Sequence, residues 1–330
     1  MSIPATMHAL QQTSLDGPQD MGLVNDAPVP SPGRGEVLIR VRAAGVNFAD
    51  VSKAHGTFGN GPRAPYPAGF EGAGEIVVVG EGVTDRPVGT RVVGVGDGAF
   101  AEYMALPAAA AVPLPPGWTE AQALGLVVNH PTAVAGIKVL GGVTDGQTVL
   151  VHAAAGATGQ AAVRVAKHYG ATVIGATSAG KQEAALAAGA DHVVDSRGDD
   201  IAAEVLRLTG GAGVDLVLES AGGATFEASL SVAKRVTGRV VVCGVAGGEA
   251  AITNWDLVYR HQVHLIGFNL GVLIQSAPHI FGDVMGALST LVAAEVLPPG
   301  RPTAYDLVDG PKALAELEAG ATIGKLALLP

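Results

Sequence analysis

The chain has 330 residues, of which 48% are hydrophobic, 15% are charged and 4% are aromatic. This composition is typical of a globular protein and excludes a disordered one. The length predicts two domains, and the scarcity of aromatic residues predicts cores built mainly from Ala, Val and Leu. The net charge of −10 and the pI near 5.3 argue against a nucleic-acid partner.

The sequence also limits the cellular compartment. Cys243 is the single cysteine, which rules out an internal disulfide and a Cys-rich zinc cluster. The first residues, MSIPATMHALQQTSLDG, contain neither the basic nor the apolar region of a signal peptide. Arg or Pro interrupts the longest apolar stretches before about 18 residues, so we expect no membrane span. These observations predict a cytoplasmic protein.

The first third of the chain contains short strand-like runs separated by Gly and Pro. These runs are 36–43 (EVLIRVRA), 74–79 (GEIVVV), 90–95 (TRVVGV) and 100–106 (FAEYMAL). Their alternation of apolar and polar residues, with turn residues between them, predicts a β-rich and partly barrel-shaped domain.

After about residue 120, apolar strands alternate with helices of about ten residues. The predicted strands are 149–153, 172–176, 191–194, 214–219, 239–244 and 264–268, and the predicted helices are 161–169, 180–188, 199–208 and 224–234. This alternation predicts an α/β Rossmann fold with a doubly wound parallel sheet. A helix at 311–319 follows, and we expect the apolar segment 325–329 to return as a strand to the first domain.

The stretch HAAAGATGQ (152–160) lies where the first of these strands meets its helix. A dinucleotide-binding turn has the pattern G-x-G-x-x-G. Gly156 and Gly159 occupy the second and third positions, but Ala154 stands at the first. A structural turn is the alternative, yet the strand–turn–helix context favours a pyrophosphate site. The predicted cofactor contacts are Ala155, Gly156, Ala157, Thr158 and Gly159.

The end of the second strand indicates which cofactor binds. An NAD site usually has Asp or Glu there, to bind the ribose 2′-hydroxyl. This chain has no acid at that position and carries Thr177, Ser178 and Lys181 instead. Hydroxyl groups and a cation suit the 2′-phosphate of NADPH. The alternative is that Lys181 is a solvated residue of the next helix.

The chain resembles the zinc-free quinone oxidoreductase (zeta-crystallin-like) branch of the medium-chain dehydrogenase/reductase superfamily. The resemblance is carried by PGRGEVLIRVRAAGVNFADV (32–51), PAGFEGAGEIVVVGEGVT (67–84), VGTRVVGV (88–95), FAEYMALP (100–107), the stretch 148–195, and GAGVDLVLESAGGATFEASL (211–230). It implies a GroES-like catalytic domain at 1–124 and 277–330, and a Rossmann domain at 125–276.

The resemblance also bears on metal chemistry. Zinc-containing members of the superfamily have a Cys ligand where this chain has Asn47, and a His ligand where it has Phe70. With neither ligand a catalytic zinc site is not expected. Without a Lewis acid, the acceptor of a hydride must already be electron-poor, as quinones and α,β-unsaturated carbonyl compounds are.

Further site residues follow only from the resemblance. It implies that Asn47 and Asp50 lie at the active-site floor and that the remaining residues line the nicotinamide side or the cofactor cleft: Thr132, Gly244, Phe268, Asn269 and Lys325. For Asn47 and Asp50, a helix N-cap or turn is the alternative.

Two departures from the family pattern matter. Ser52 stands where some quinone reductases have a tyrosine, which leaves the proton donor open. Asp195 stands where some have a tyrosine that contacts the 2′-phosphate, although Arg197 can compensate.

Three activities are therefore compatible with the sequence. The first is NADPH-dependent reduction of a small quinone or enone, the second is enoyl-thioester reduction on the same fold, and the third is a low-turnover NADPH-binding role as a redox sensor or structural protein. The resemblance also implies a homodimer, formed through the strand near 264–268.

Overall fold

The structure, a computed structural model, describes residues 3–198 and 200–330. Contacts divide the chain into two units. The first consists of Met1–Val127 and Pro299–Pro330, and the second of Val128–Pro298. Both the β-rich unit and the α/β unit predicted from the sequence are present.

The N-terminal part of the first unit is mostly strands. The strands are β1 (Thr6–Gln12), β2 (Met21–Pro28), β3 (Glu36–Val46), β4 (Tyr66–Pro67), β5 (Glu71–Val79), β6 (Arg91–Val95), β7 (Tyr103–Pro107) and β8 (Val112–Pro113), and the helices are α1 (Phe48–Ala54) and α2 (Glu120–Ala123). Of these elements only β3, β5, β6 and β7 were predicted from the sequence.

The second unit alternates strands and helices as predicted. It opens with α3 (Asn129–Val134), which continues as a π-helical stretch, Ala135–Val139. The strands are β9 (Thr148–His152), β10 (Thr172–Thr177), β11 (His192–Asp195), β12 (Leu216–Glu219), β13 (Arg239–Val242) and β14 (His264–Gly267). The helices are α4 (Ala157–His168), α5 (Gln182–Ala187), α6 (Ile201–Leu208), α7 (Ala224–Val232), α8 (Leu270–Ser276) and α9 (Pro278–Ala293), with a π-helical stretch at Asp256–His261. The predicted helix 199–208 begins on Asp199, which lies outside the described residues.

The C-terminal segment returns to the first unit, as predicted. It contains β15 (Thr303–Asp306), α10 (Gly310–Glu318) and β16 (Leu326–Leu329). Short 3₁₀ turns occur at Pro18–Asp20, Ala108–Ala110 and Leu307–Asp309. Strand β16 pairs antiparallel with β3, so that Leu326 lies opposite Val46. The larger sheet has the order β15-β16-β3-β5-β6-β8, with β7 also paired to β3, and a smaller sheet has the order β2-β1-β4.

The sheet of the second unit is parallel and has the order β11-β10-β9-β12-β13-β14. The chain runs outward from β9 in one direction, then returns to β12 and runs outward in the other. The order therefore reverses between β9 and β12, and the carboxyl ends of the strands at such a switch point are where doubly wound sheets bind ligands.

Helix α9 differs from expectation. The sequence analysis placed residues 277–298 in the catalytic domain, but the structure places them in the second unit. Val284, Leu288 and Leu291 of α9 are buried in the same core as Val134 of α3. Burial of this apolar face determines where the helix packs, and the helical pattern alone does not identify its partner. Within the described part of the chain, no helix is both long and apolar enough to cross a membrane.

Candidate active site

The turn after β9 has the geometry of a dinucleotide-binding turn. Gly156 is the N-cap of α4, and its N–H donates to the Ala153 carbonyl (2.8 Å). A side chain at Gly159 would collide with that same carbonyl oxygen, so only glycine lets the helix pack this close to the turn. The first turn of this twelve-residue helix therefore presents its free N–H groups at the end of a buried strand.

Alanine at the first fingerprint position is explained by the neighbouring strand. Ala154 is fully buried and its N–H donates to the Ala176 carbonyl (3.0 Å). Its methyl group lies beside Gly175 of β10, where an added Cβ would come within 3.0 Å of the Ala154 Cβ. Because Gly175 has no side chain, the adjacent strand leaves room for the Ala154 methyl group, and the turn keeps its shape.

The structure brings the predicted 2′-phosphate residues together. Thr177 is buried at the end of β10, and Lys181 precedes α5. Burial, and next the nearby positive charge of Arg197, lower the pKa of Lys181. Two cations near each other at a strand end favour an anionic ligand.

Asp195, the residue that weakens the NADPH assignment, lies in register with Thr177 on the neighbouring strand. Its carboxylate accepts a hydrogen bond from the Arg197 N–H (2.9 Å). The carboxylate is therefore partly satisfied by its own turn.

The remaining predicted residues of the second unit have defined local roles. The Thr132 hydroxyl donates to the Val128 carbonyl (2.6 Å) within α3. The Asn269 side chain caps α8 by accepting from the Val272 N–H (3.0 Å). Gly244 approaches the Ser220 carbonyl so closely that a side chain would collide with it. Phe268 follows β14 and is partly buried. Gly244 and Phe268 follow the carboxyl ends of β13 and β14, the same edge of the sheet as the phosphate turn.

A buried polar cluster that the sequence analysis missed lies at this edge. His152, Glu219 and Ser229 are each no more than 1% exposed. The Ser229 hydroxyl is 2.5 Å from Glu219 Oε2 and 2.9 Å from His152 Nε2. Because the hydroxyl has one proton, donation to Glu219 requires His152 to donate from Nε2. Burial lowers the pKa of His152 more than Glu219 raises it, so the imidazole is neutral.

Glu219 also shapes the loop that follows β12. Its Oε1 accepts hydrogen bonds from the N–H groups of Ala221 (2.7 Å) and Gly222 (2.8 Å). The N–H of Cys243 donates to the Glu219 carbonyl (2.9 Å). Burial, and next the negative charge of Glu219, raise the pKa of the Cys243 thiol to about 12. The cluster thus ties together the ends of β9, β12 and β13.

The first unit contains a second buried polar cluster, formed by Asn47, Asp50, Glu71 and Lys325. The Lys325 ammonium donates to Glu71 Oε2 (2.6 Å) and to Asn47 Oδ1 (2.7 Å). Asn47 Nδ2 also donates to Glu71 Oε2 (2.9 Å), and the Gly125 N–H donates to Oε1 (2.5 Å). Lys325, implied by the resemblance to lie at the cofactor cleft, is buried here and ion-paired.

The pKa values of the two acids in this cluster shift in opposite directions. Burial alone would raise the pKa of Glu71, but the charge of Lys325 and the hydrogen bonds from Lys325, Asn47 and Gly125 hold it below its ordinary value. For Asp50, burial outweighs the nearby cations and raises the pKa to about 7. At neutral pH one buried carboxyl is therefore ionised, and its neighbour is protonated in about half of the molecules.

Asp50 also takes part in the N-terminal cap of α1, which is the alternative role stated above for this residue. Its Oδ2 accepts the N–H of Asn47, the N-cap of α1 (2.9 Å). Its Oδ1 is buried and has no hydrogen-bond partner among the described residues. Burial, and next the charge of Asp50, raise the pKa of Tyr66 to about 12, which places this tyrosine near the same acid. The sequence analysis did not identify Tyr66, because it is far from the GVNFAD motif in sequence.

Asn47 and Phe70 stand where zinc-containing members of the superfamily have zinc ligands. Asn47 belongs to the polar cluster of the first unit, and the Phe70 ring centroid is 4.3 Å from the Lys53 ammonium. Across residues 3–198 and 200–330, no group of three or more His, Cys, Asp or Glu side chains is arranged to hold a metal ion.

Comparison with known protein families matches both units. Residues 33–116 match the alcohol dehydrogenase GroES-like domain, and residues 157–289 match the zinc-binding dehydrogenase family. Prostaglandin reductase-3 of Bos taurus is 38% identical over 251 residues, which are 75% of this chain and 66% of that protein. Phthioceranic/hydroxyphthioceranic acid synthase of Mycobacterium tuberculosis is 34% identical over 90% of this chain, which spans only 14% of the synthase.

Solved structures are similar over almost the whole chain. The mycobacterial protein Rv1454c, complexed with NADPH, has a TM-score of 0.91 and 34% identity, covering 98% of this chain and 100% of that one. Escherichia coli quinone oxidoreductase, also complexed with NADPH, has a TM-score of 0.89 and 28% identity, with coverage of 98% and 100%. The shared fold, the dinucleotide turn and these similarities show that the chain belongs to the zinc-free quinone oxidoreductase branch of the medium-chain dehydrogenase/reductase superfamily.

Proposed function

We propose that the protein binds NADPH and reduces quinones or other α,β-unsaturated carbonyl compounds without a metal. The observation that carries this proposal is the turn between β9 and α4, where Gly159 leaves no room for a side chain. Together with Lys181 and Arg197 near each other, it fits the pyrophosphate and the 2′-phosphate of NADPH. Rv1454c and the Escherichia coli quinone oxidoreductase, both complexed with NADPH, support the assignment.

The residues expected to hold the cofactor lie at the carboxyl edge of the parallel sheet. The stretch from Ala155 to Gly159 binds the pyrophosphate. The donors are the first N–H groups of α4, from Ala157 onward, because the Gly156 N–H already donates to the Ala153 carbonyl. Ser178, Lys181 and Arg197 bind the 2′-phosphate. Bound NADPH supplies a hydride, and one additional proton completes the two-electron reduction of a quinone or an enone.

In this proposal the cluster of the first unit supplies that proton. Asp50 has a pKa of about 7, so a large fraction of it carries a proton at neutral pH, and its Oδ1 has no hydrogen-bond partner among the described residues. The Asn47 side chain makes three hydrogen bonds, with Lys325, Glu71 and the Gly45 carbonyl, and its backbone N–H donates to Asp50 Oδ2. Asp50 is therefore the proposed general acid, and Asn47 is the proposed residue that positions it.

The experiment that tests the cofactor assignment compares NADPH and NADH affinities by fluorescence titration. Lys181→Ala is expected to weaken NADPH binding by about tenfold and to leave NADH binding unchanged, because one charge-assisted contact is lost. Lys312→Ala removes an exposed lysine and serves as the matched control. An unchanged preference for NADPH in Lys181→Ala would show that the 2′-phosphate lies elsewhere.

The turn itself is tested by Gly159→Val, which is expected to abolish binding of both cofactors. Gly286→Ala is the control in the same unit, since an added Cβ there meets nothing within 4 Å. Circular dichroism and thermal melting establish that each variant is folded. A folded Gly159→Val protein that still binds NADPH tightly would contradict the assignment.

Enoyl-thioester reduction is the second candidate, favoured by the similarity to the mycobacterial synthase over 90% of this chain. NADPH consumption with benzoquinone, phenanthrenequinone, crotonaldehyde and a crotonyl thioester distinguishes the two activities. Tight NADPH binding without turnover of any of them would favour a low-turnover redox sensor or structural protein instead.

We also propose that the protein is a homodimer that associates through β14. This strand is the edge of the parallel sheet, and apolar side chains are exposed on it and near it: Leu265 (37%), Val236 (67%) and Tyr259 (62%). An unpaired apolar edge is otherwise prone to aggregation.

A further inference from the structure

Lys53 lies on α1, one turn after Asp50, and is held by aromatic rings. Its ammonium is 4.3 Å from the centroid of the Phe70 ring and 5.5 Å from that of Phe58. The side chain is partly buried. Both rings attract the ammonium and restrain the side chain.

The charge of Lys53 is not neutralised by an ion pair. Among the described residues no carboxylate lies within 4.0 Å of its ammonium, whereas Lys167, Lys234 and Lys325 each pair with an acid at 2.8 Å or less. The acid nearest along the helix is Asp50; burial raises its pKa to about 7 although the charge of Lys53 acts to lower it, so Asp50 is only partly ionised at neutral pH. A half-buried cation with no ion pair to the described residues favours an anionic ligand.

Lys53 and Phe70 are among the residues that line a groove of about 640 Å³ in the first unit. This is the size of a pocket for a small organic molecule. Most of the remaining lining is apolar or backbone, including Val95, Gly96 and Pro107. Two acids also line it: Glu36, which accepts a hydrogen bond from the Gly33 N–H (2.8 Å), and Asp97, which is exposed.

We propose that Lys53, with Phe58 and Phe70, recognises an anionic group that the substrate carries at a distance from its reacting double bond. The inference rests on the proposed function, because it names the substrate class of the same reductase. Phe70 and the apolar lining of the groove accept the apolar part of the substrate, and the Lys53 ammonium pairs with its negative end. The anion is a carboxylate in a free acid or a phosphate in a pantetheine thioester.

The test uses pairs of substrates that share one electrophile and differ only in charge. The first pair is a medium-chain enal with a carboxyl group at its far end and the methyl ester of that enal. The second is crotonyl-pantetheine with and without its phosphate. We expect kcat/KM to be about tenfold higher for the charged member of the preferred pair, and this ratio to fall as salt is added.

Lys53→Met is expected to bring that ratio close to one, while Lys53→Arg keeps most of it. Both members of a pair meet the same Asp50, so any effect of the substitution on that acid cancels in the ratio. Lys312→Met is the control for loss of a surface charge. The pair that shows the preference identifies the anion as a carboxylate or a phosphate.

The outcomes separate the inference from the proposed function. Turnover with equal kcat/KM for charged and uncharged substrates overturns the inference and leaves the reductase proposal standing. No turnover of any substrate overturns the reductase proposal. In that case the inference is tested by calorimetric titration with the saturated analogue of the carboxyl-bearing enal and with its methyl ester. Equal affinities of the wild type for the two compounds would overturn the inference. A preference for the acid that remains in Lys53→Met would overturn it as well.

Discussion

Replacing Asp50 with asparagine tests the electrostatics of the first unit directly. Asparagine keeps an oxygen that accepts the hydrogen bond from the Asn47 N–H, and it cannot ionise. Burial raises the pKa of the wild-type carboxyl to about 7, from an ordinary value of 3.8. This difference corresponds to about 4 kcal/mol of folding free energy, to order of magnitude.

The sign follows from which state holds the proton. Below pH 3.8 both the folded and the unfolded carboxyl are protonated, and the stabilisation is complete. As the pH rises toward 7 the unfolded state ionises while the folded state resists, so the wild type loses stability. Asp50→Asn has no such loss. We expect its stability relative to wild type to increase by about 1.4 kcal/mol between pH 6 and pH 8.

Urea unfolding at these two pH values measures the difference, and both values lie above the pI of 5.3. Asp26→Asn, which removes an exposed charge from β2, is the matched control. If the stability difference between Asp50→Asn and wild type were the same at both pH values, the folded carboxyl would be ionised throughout. The reasoning behind its role as an acid would then be refuted.

Other predictions concern the remaining clusters and the sheet edge. Lys325→Met is expected to lower the unfolding free energy by about 3–5 kcal/mol, because it leaves the Glu71 carboxylate buried and unpaired; adding Glu71→Gln should recover part of this loss in urea titrations. Ser229→Ala should cost about 1–3 kcal/mol in the same assay, because a buried acid and a buried imidazole lose a shared partner. Leu265→Lys should convert a dimer into a monomer in sedimentation velocity without weakening NADPH binding; an unchanged sedimentation coefficient would contradict assembly through β14.

Much of the second unit could be predicted because its strands are buried on both faces. Such strands are continuous apolar runs, as in 149–153 and 172–176, and the helices between them have a clear period. The return of the C-terminal strand was also predictable from its apolar character. Boundaries shifted by a few residues, as at α4, which begins at Ala157 because the free N–H groups of the turn are already helical.

What the sequence could not provide was contact between distant residues. Glu71 and Lys325 are 254 positions apart, and nothing in either segment identifies the other as its partner. Gly175 compensates for Ala154 only because β10 lies beside the turn. Tertiary packing also decides that α9 joins the second unit, since an apolar helical face fits either core.

The protonation state of the single thiol, Cys243, has a consequence for the proposed reduction of quinones and enones. Both classes of compound are Michael acceptors, and they alkylate cysteine through its thiolate rather than its thiol. With a pKa of about 12, Cys243 has a thiolate fraction below roughly one in ten thousand at neutral pH. The same glutamate that orders the loop after β12 therefore helps to protect the protein from covalent inactivation by the substrates proposed for it.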